Sequence, residues 1–525
     1  MSNASNVTRP PAILAFPRAK TPPSTTTSRW RWPLALAALL VVGAALRLVG
    51  MARQSLWLDE AFSVYLAAHR FPDILSFVVS SDAHPPLYYL LLHLWLIFGV
   101  SELAVRSLSA LASIAALAVV YLLGRQLAHP RVGLIAAALM ATSAFQIWYA
   151  QEARMYALTS LAVLLAAYGL VRAWQHGGAG AWTLFASAML VALYLDYSAF
   201  YVFTAFLLWF LRVGRRERQM RRPFLLCCGL IVLGYLPWMP AFWRQAIALG
   251  GLTNWISGAN GSGFFGSLSD LLFNRSNLGL PGDGPLAILF GACSLLLLLL
   301  AFWLPRRTPA YPLLAYWLGW PCLLAFAADL MNRPIVIART LMVVQPALFL
   351  LLALAADITL TAWAARRRQR ISFFLLTGCL AVLLIANLAA LTTTWRAPVK
   401  EDWRAAATFV ATHEHPGALI LFNAYFTQMP FDYYYSQQPT SAAGVVERGY
   451  NTQESLLFAD PAQTSLPIRP GPDTSGYEQV WLVLSHTGTS DDAATPPWLF
   501  SQYRLAGTWH YTGGVTIRLF QTPTT

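Results

Sequence analysis

From about Pro33 to Leu391 the chain alternates long apolar runs with short polar breaks. Each run is roughly 20 residues, the length at which an α-helix crosses a hydrocarbon core ~30 Å thick. Very hydrophobic soluble helices do not account for the pattern, because the runs are too long and too many. It predicts about eleven transmembrane helices, over 32–49, 103–123, 133–149, 155–173, 181–195, 198–211, 223–240, 285–304, 310–328, 340–359 and 371–391. The stretch 59–98 interrupts the series. It carries Asp59, Glu60, His69, Arg70, Asp73, Asp82 and His84 ahead of Pro85. Its apolar end, 87–98, is too short to cross, so it reads as two amphipathic helices lying along the outer surface.

Both ends of the chain differ from the middle. The first 28 residues are rich in Pro, Ser and Thr and read as a disordered cytoplasmic tail. No small-residue cleavage pattern follows the first apolar run, which is therefore a retained helix and not a signal peptide. Beyond Leu391 the period changes: 400–413 reads as an amphipathic helix, and 418–422, 479–485 and 515–520 as strands. A tail of about 130 residues can bury a core of its own. The organisation expected is a tail over 1–30, a helical polytopic membrane domain over 31–395 and a small α/β extracytoplasmic domain over 396–525.

Composition agrees. Of 525 residues 57% are hydrophobic and 11% charged, mean hydropathy is +0.52, and soluble domains carry roughly 25% charged residues. The net charge of +13 does not mark a nucleic-acid binder, because the arginines cluster between apolar runs, at 212–222, 306–307 and 366–370. With the N-terminus inside, 20 of the 36 Lys and Arg fall in cytoplasmic segments and nine in outer segments before the tail. That satisfies the positive-inside rule; a crossing at 87–98 would put most clusters outside. The expected location is the cytoplasmic (inner or plasma) membrane. All five cysteines lie in apolar spans, so the tail has no disulfide framework.

Threaded this way, the chain gathers Asp59, Glu60, Asp82, His84, Glu152, Arg154, Asp196, Arg333 and Arg339 on the outer side. Ionisable groups at membrane depth are costly unless paired or hydrated, so such a set points to a functional cavity. Asp82 and His84 with Asp59 invite a divalent-metal reading, yet no dense His/Asp cluster appears, and the expectation is no metal and no other cofactor. His93 reads as a packed or interfacial histidine. Trp148, Tyr149, Tyr194 and Tyr197 sit at helix ends, where aromatic belts occur. A phosphate-cradling Gly-Lys loop, a Rossmann glycine triplet and a nucleophile elbow are absent.

The run Ser55-Leu-Trp-Leu-Asp59-Glu60-Ala-Phe-Ser63, followed by Asp82-Ala-His84-Pro-Pro-Leu-Tyr-Tyr89, resembles lipid-phosphate-dependent glycosyltransferases of the GT-C fold. More closely it resembles the protein O-mannosyltransferase and aminoarabinose transferase superfamily. The segments 99–110 and 148–158 (with Glu152, Arg154 and Tyr156) and Lys400-Glu-Asp-Trp403-Arg404 extend the resemblance over most of 30–410. It implies a sugar carried on a polyprenyl phosphate, an active site at the outer face, and Asp59 as base. Glu60 is then expected to position the acceptor or support Asp59. The leaving lipid phosphate needs cations, and guanidinium forks match phosphate oxygens. The family's arginine falls on Arg339, with Arg154 and Arg333 as further candidates and Asp82, His84, Glu152 and Tyr156 lining the substrate site. Ile337-Ala-Arg339-Thr-Leu341 lacks the tyrosine usual beside that arginine. A single displacement would invert the anomeric centre. The acceptor class stays open between protein, lipid and glycan. The competing reading, a transporter or flippase for a lipid-linked glycan, predicts internal repeats with paired broken helices, which the sequence does not display.

Overall fold

The computed structural model describes residues 30–252, 262–274, 284–331, 337–364, 370–396, 399–423, 425–438, 446–450, 476–486 and 490–523. The N-terminal tail of the sequence reading and Arg333 lie outside these residues.

The helices α1 (Arg31–Leu48), α5 (Glu102–Leu127) and α8 (Tyr156–His176) open the bundle. Between the first two lie three short helices, not two: α2 (Leu58–Ala67), α3 (Phe71–Ser81) and α4 (Leu87–Trp95). Pro85 and Pro86 separate the last two, since proline lacks the N–H needed to continue a helix. His93 Nδ1 lies 2.7 Å from the Ala67 carbonyl oxygen, tying α4 to α2. The run read as 133–149 is broken into α6 (Pro130–Thr142) and α7 (Ala144–Ala150), bent by 65°. Ser143 makes the break, accepting at 3.3 Å from the Gln146 N–H as an N-cap of α7.

The remaining apolar helices are α9 (Ala179–Leu195), α10 (Ala199–Arg212), α11 (Arg218–Tyr235) continued by α12 (Met239–Leu252), α14 (Pro285–Trp303), α15 (Tyr311–Leu330), α16 (Gln345–Ala364) and α17 (Arg370–Arg396). Before α14 runs α13 (Ser262–Phe273). Among the described residues eight helices are long and apolar enough to cross a membrane, and nine if the bent pair is one span. With α9 and α10, which are apolar but of 17 and 14 residues, every predicted crossing is occupied by a helix.

Polar side chains pin the broken parts. Buried Arg47 donates from Nη1 to Ala141 O and from Nη2 to Met140 O, both at 3.2 Å, and from Nε to Ser113 Oγ at 2.8 Å. Those two carbonyls end α6, where the bend removes their helical partners. The Gly/Asn/Ser-rich stretch 250–284, which the hydropathy pattern leaves as an outer loop between the crossings 223–240 and 285–304, contains α13, whose Leu271, Leu272 and Phe273 are buried. Asn387 Nδ2 donates to Leu272 O at 3.0 Å, and its Oδ1 accepts from the Ala144 N–H at 2.6 Å.

The tail begins with α18 (Trp403–His413) and builds a five-stranded sheet of β1 (Leu419–Asn423), β2 (Val446–Tyr450), β3 (Gln479–Leu484), β4 (Arg504–Tyr511) and β5 (Val515–Gln521). Its order is β2-β1-β3-β5-β4. β1 runs parallel to both its neighbours, and β5 antiparallel to both of its own. Strands β1 and β3 are buried at every residue, the continuous apolar reading expected of central strands. Helix α19 (Gln428–Tyr435) lies against α2, with the Tyr434 hydroxyl accepting from the Leu56 N–H at 2.6 Å.

Candidate active site

Residues 49–57 form a strap that leads from α1 into the first turn of α2, and the site is built around it. Trp57 stands in extended backbone ahead of α2, so Asp59 and Glu60 occupy its first turn, where the helix dipole favours carboxylates. Adjacent side chains on a helix diverge by about 100°, and the two acids part accordingly.

Glu60 turns inward and is 0% exposed. Arg106 grips it with two forked bonds, Nε to Oε1 at 2.8 Å and Nη2 to Oε2 at 2.7 Å. Lys400, from the tail, reaches Oε2 at 3.1 Å, and the Ala153 N–H donates to Oε1 at 2.8 Å. Burial alone would raise the carboxyl; Arg106 and Lys400 outweigh it and hold Glu60 at about 2. Arg106 also donates to Met51 O at 2.6 Å, Gln54 O at 2.8 Å and Ser55 O at 2.9 Å, so one guanidinium fixes both the strap and Glu60. Glu60 is thus fully enclosed, with Arg106, Lys400 and the Ala153 N–H as its partners.

Asp59 faces the other way. Its side chain is 27% exposed, and Oδ2 lies 3.2 Å from Arg339 Nη1. Asp82 is 7% and Glu152 2% exposed, which makes Asp59 the accessible carboxylate of the group. Arg339 opens the 3₁₀ turn Ala338–Val344 ahead of α16. Its guanidinium carbon lies 5.9 Å from the ring centres of both Trp57 and Tyr156, so two aromatic faces and one carboxylate orient it.

Arg154 stands on the other side of Asp59. Its Nη1 is 3.2 Å from Ser63 Oγ and 3.5 Å from both Asp59 O and the Tyr89 hydroxyl, and Nη2 donates to His84 Nε2 at 3.4 Å. No carboxylate among the described residues comes within ion-pair distance of it, and its buried Nε meets no acceptor. Glu152 lies 3.2 Å from Lys400, and burial pushes its carboxyl up. His84 Nδ1 meets Asp82 Oδ1 at 3.0 Å, which with the Arg154 contact suits the Nδ1–H tautomer. Burial would raise Asp82, but His84 and Arg154 bring it below the ordinary carboxylate range. The His84 nitrogens are thus committed to a carboxylate and a guanidinium, and no group of three His, Cys, Asp or Glu side chains gathers among the described residues.

Asp196 takes a local part, accepting from the Ser198 N–H at 2.7 Å. The sequence reading passed over Arg106 and Lys400 as site residues, though both lie in segments that carry the resemblance. It also missed His486, whose Nε2 lies 3.2 Å from Glu401 Oε1 while Glu401 Oε2 accepts from the Leu58 N–H at 3.2 Å. Burial lowers His486, yet Glu401 raises it further than burial lowers it.

Solved structures share the overall fold. ArnT from Cupriavidus metallidurans superposes with a TM-score of 0.59 at 13% identity, over 93% of this chain and 97% of that one. Its undecaprenyl phosphate-bound form gives 0.55 at 13% identity over 94% and 98%. The oligosaccharyltransferase of Archaeoglobus fulgidus gives 0.51 at 13% identity, over 80% of this chain and 65% of that one. No curated protein matches in sequence. The fold these structures share with the chain is GT-C. Residues 83–240, less than half of the chain, match the family model of dolichyl-phosphate-mannose-protein mannosyltransferases.

Proposed function

We propose that this protein transfers a sugar from a polyprenyl-phosphate carrier to an acceptor hydroxyl at the outer face of the cytoplasmic membrane. The observation that carries the reading is the placing of Asp59, an accessible carboxylate, between Arg339 and an Arg154 that has no acidic partner among the described residues. The ArnT structure bound to undecaprenyl phosphate shares the fold and supports a lipid phosphate as the donor's handle.

In the reaction Asp59 takes the acceptor hydroxyl's proton as that oxygen attacks the anomeric carbon. The bond from this carbon to the phosphate oxygen breaks, and the lipid phosphate leaves with the electron pair. Arg339 and Arg154 neutralise the charge that grows on it. Tyr156 holds Arg339 in place, and Asp82 sets His84 against Arg154. Attack opposite the leaving phosphate inverts the anomeric centre. Neither a metal nor another cofactor has a role in these steps.

Asp59→Asn is expected to leave membrane insertion intact and abolish transfer in vesicles supplied with a polyprenyl-phosphate sugar. Full activity in that variant would overturn the mechanism. Mass spectrometry of envelope lipids, glycans and proteins from cells lacking the chain then reads out whether the acceptor is lipid, glycan or protein.

A further inference from the structure

At the same end of the bundle as Asp59, a cavity of about 700 Å³ opens between the strap, the last turn of α17 and the tail. Its charge is one-sided. Arg53, Arg396 and Arg404 line it against a single carboxylate, Asp402. Asp402 caps α18, accepting from the Ala405 N–H at 3.2 Å, and Arg404 is spent on Glu102 at 2.6 Å. Arg53 donates to the Trp395 carbonyl oxygen, and both Arg53 and Arg396 are exposed. Two guanidinium groups of the lining, Arg53 and Arg396, therefore stand without a carboxylate at ion-pair distance among the described residues, and the lining keeps a net positive charge.

Position identifies the occupant. Arg396 ends an apolar helix of 27 residues, and Arg53 follows α1 by a few residues, so both stand where a hydrocarbon core gives way to water. Below them, Leu48 and Val49 at the end of α1 and Ile385 and Leu388 on α17 expose large apolar side chains, while Trp395 and Tyr511 are part of the cavity lining. A soluble anion would use only the arginines; a lipid would use the apolar flanks as well. We propose that this cavity binds the phosphate of an anionic membrane lipid, with Arg53 and Arg396 on the phosphate oxygens and the acyl chains along α1 and α17. Gln54 and Ser55 form part of the lining, and their carbonyls are the ones that hold Arg106. An occupant therefore braces the strap that leads to Asp59. The proposal does not depend on which reaction Asp59 performs.

The test uses the full chain in detergent, with lipid binding read by native mass spectrometry and melting temperature. Phosphatidylglycerol is expected to bind and raise the melting temperature, phosphatidylcholine and inorganic phosphate to do neither. Arg53→Gln with Arg396→Gln is expected to weaken phosphatidylglycerol binding at least about tenfold, as two charge-assisted contacts are lost. Arg53→Lys with Arg396→Lys keeps the charge without the fork and should fall between. Equal stabilisation of the wild-type protein by phosphatidylcholine would overturn the proposal, and an equal shift from inorganic phosphate would overturn the lipid as occupant. Unchanged phosphatidylglycerol binding in the folded glutamine variant would do the same. Should that variant fail to fold, the lysine variant and the wild-type comparison decide.

Discussion

At the scale of single residues, adjacent acids have opposite fates. Asp59 and Glu60 were legible as a pair from their place after the first apolar run, but nothing local told them apart. The difference comes from Arg106, 46 residues on, and Lys400, 340 residues on; pairings that distant leave no periodic trace. Glu60→Gln strips Arg106 and Lys400 of a buried counter-charge and is expected to cost about 3–5 kcal/mol, read as a lower melting temperature. Holding Glu60 at about 2 against an ordinary 4.5 makes its contribution fully present above pH 4.5 and progressively lost as pH falls towards 2, a swing of about 3 kcal/mol. A melting curve of Glu60→Gln should therefore lack that part of the acid sensitivity of wild type; equal sensitivity in both would remove Glu60 as its source. Arg339→Ala should chiefly weaken donor use, and an unaltered dependence of rate on donor concentration would take Arg339 out of the phosphate site.

At the scale of elements, hydropathy located the helices well because each needs a continuous apolar stretch. It missed what side chains do at interruptions. The 65° break between α6 and α7 rests on Arg47, which a count of charges had simply placed outside. α13 was read as loop because 250–284 is rich in Gly, Asn and Ser, although its last three residues are deeply buried. In the tail the central strands were legible from their unbroken apolar runs, whereas β4, half-exposed along its length, offered no such run. Close helix approach is a further element-scale device: α5 and α6 meet at Gly124 and Gly133, where a Cβ on Gly133 would collide with the Tyr121 carbonyl oxygen. Small residues permit such contact between membrane helices. Gly133→Ala is expected to cost roughly 1–3 kcal/mol, measured as lost thermal stability of the purified protein; wild-type stability would show that the hairpin can yield there.

At the scale of the whole molecule, membrane bundle and tail share one electrostatic centre. Lys400 belongs by sequence to the tail, yet it joins Glu60 and Glu152, which belong to the bundle. Synthesis proceeds from the N-terminus, so both carboxylates are in place hundreds of residues before their shared cation exists. Until residue 400 has been made, the two acids lack the cation they share. Chain order thus becomes a timing device: the cluster behind Asp59 closes only once nearly the entire polytopic portion has been made, and an unfinished chain carries an unfinished site.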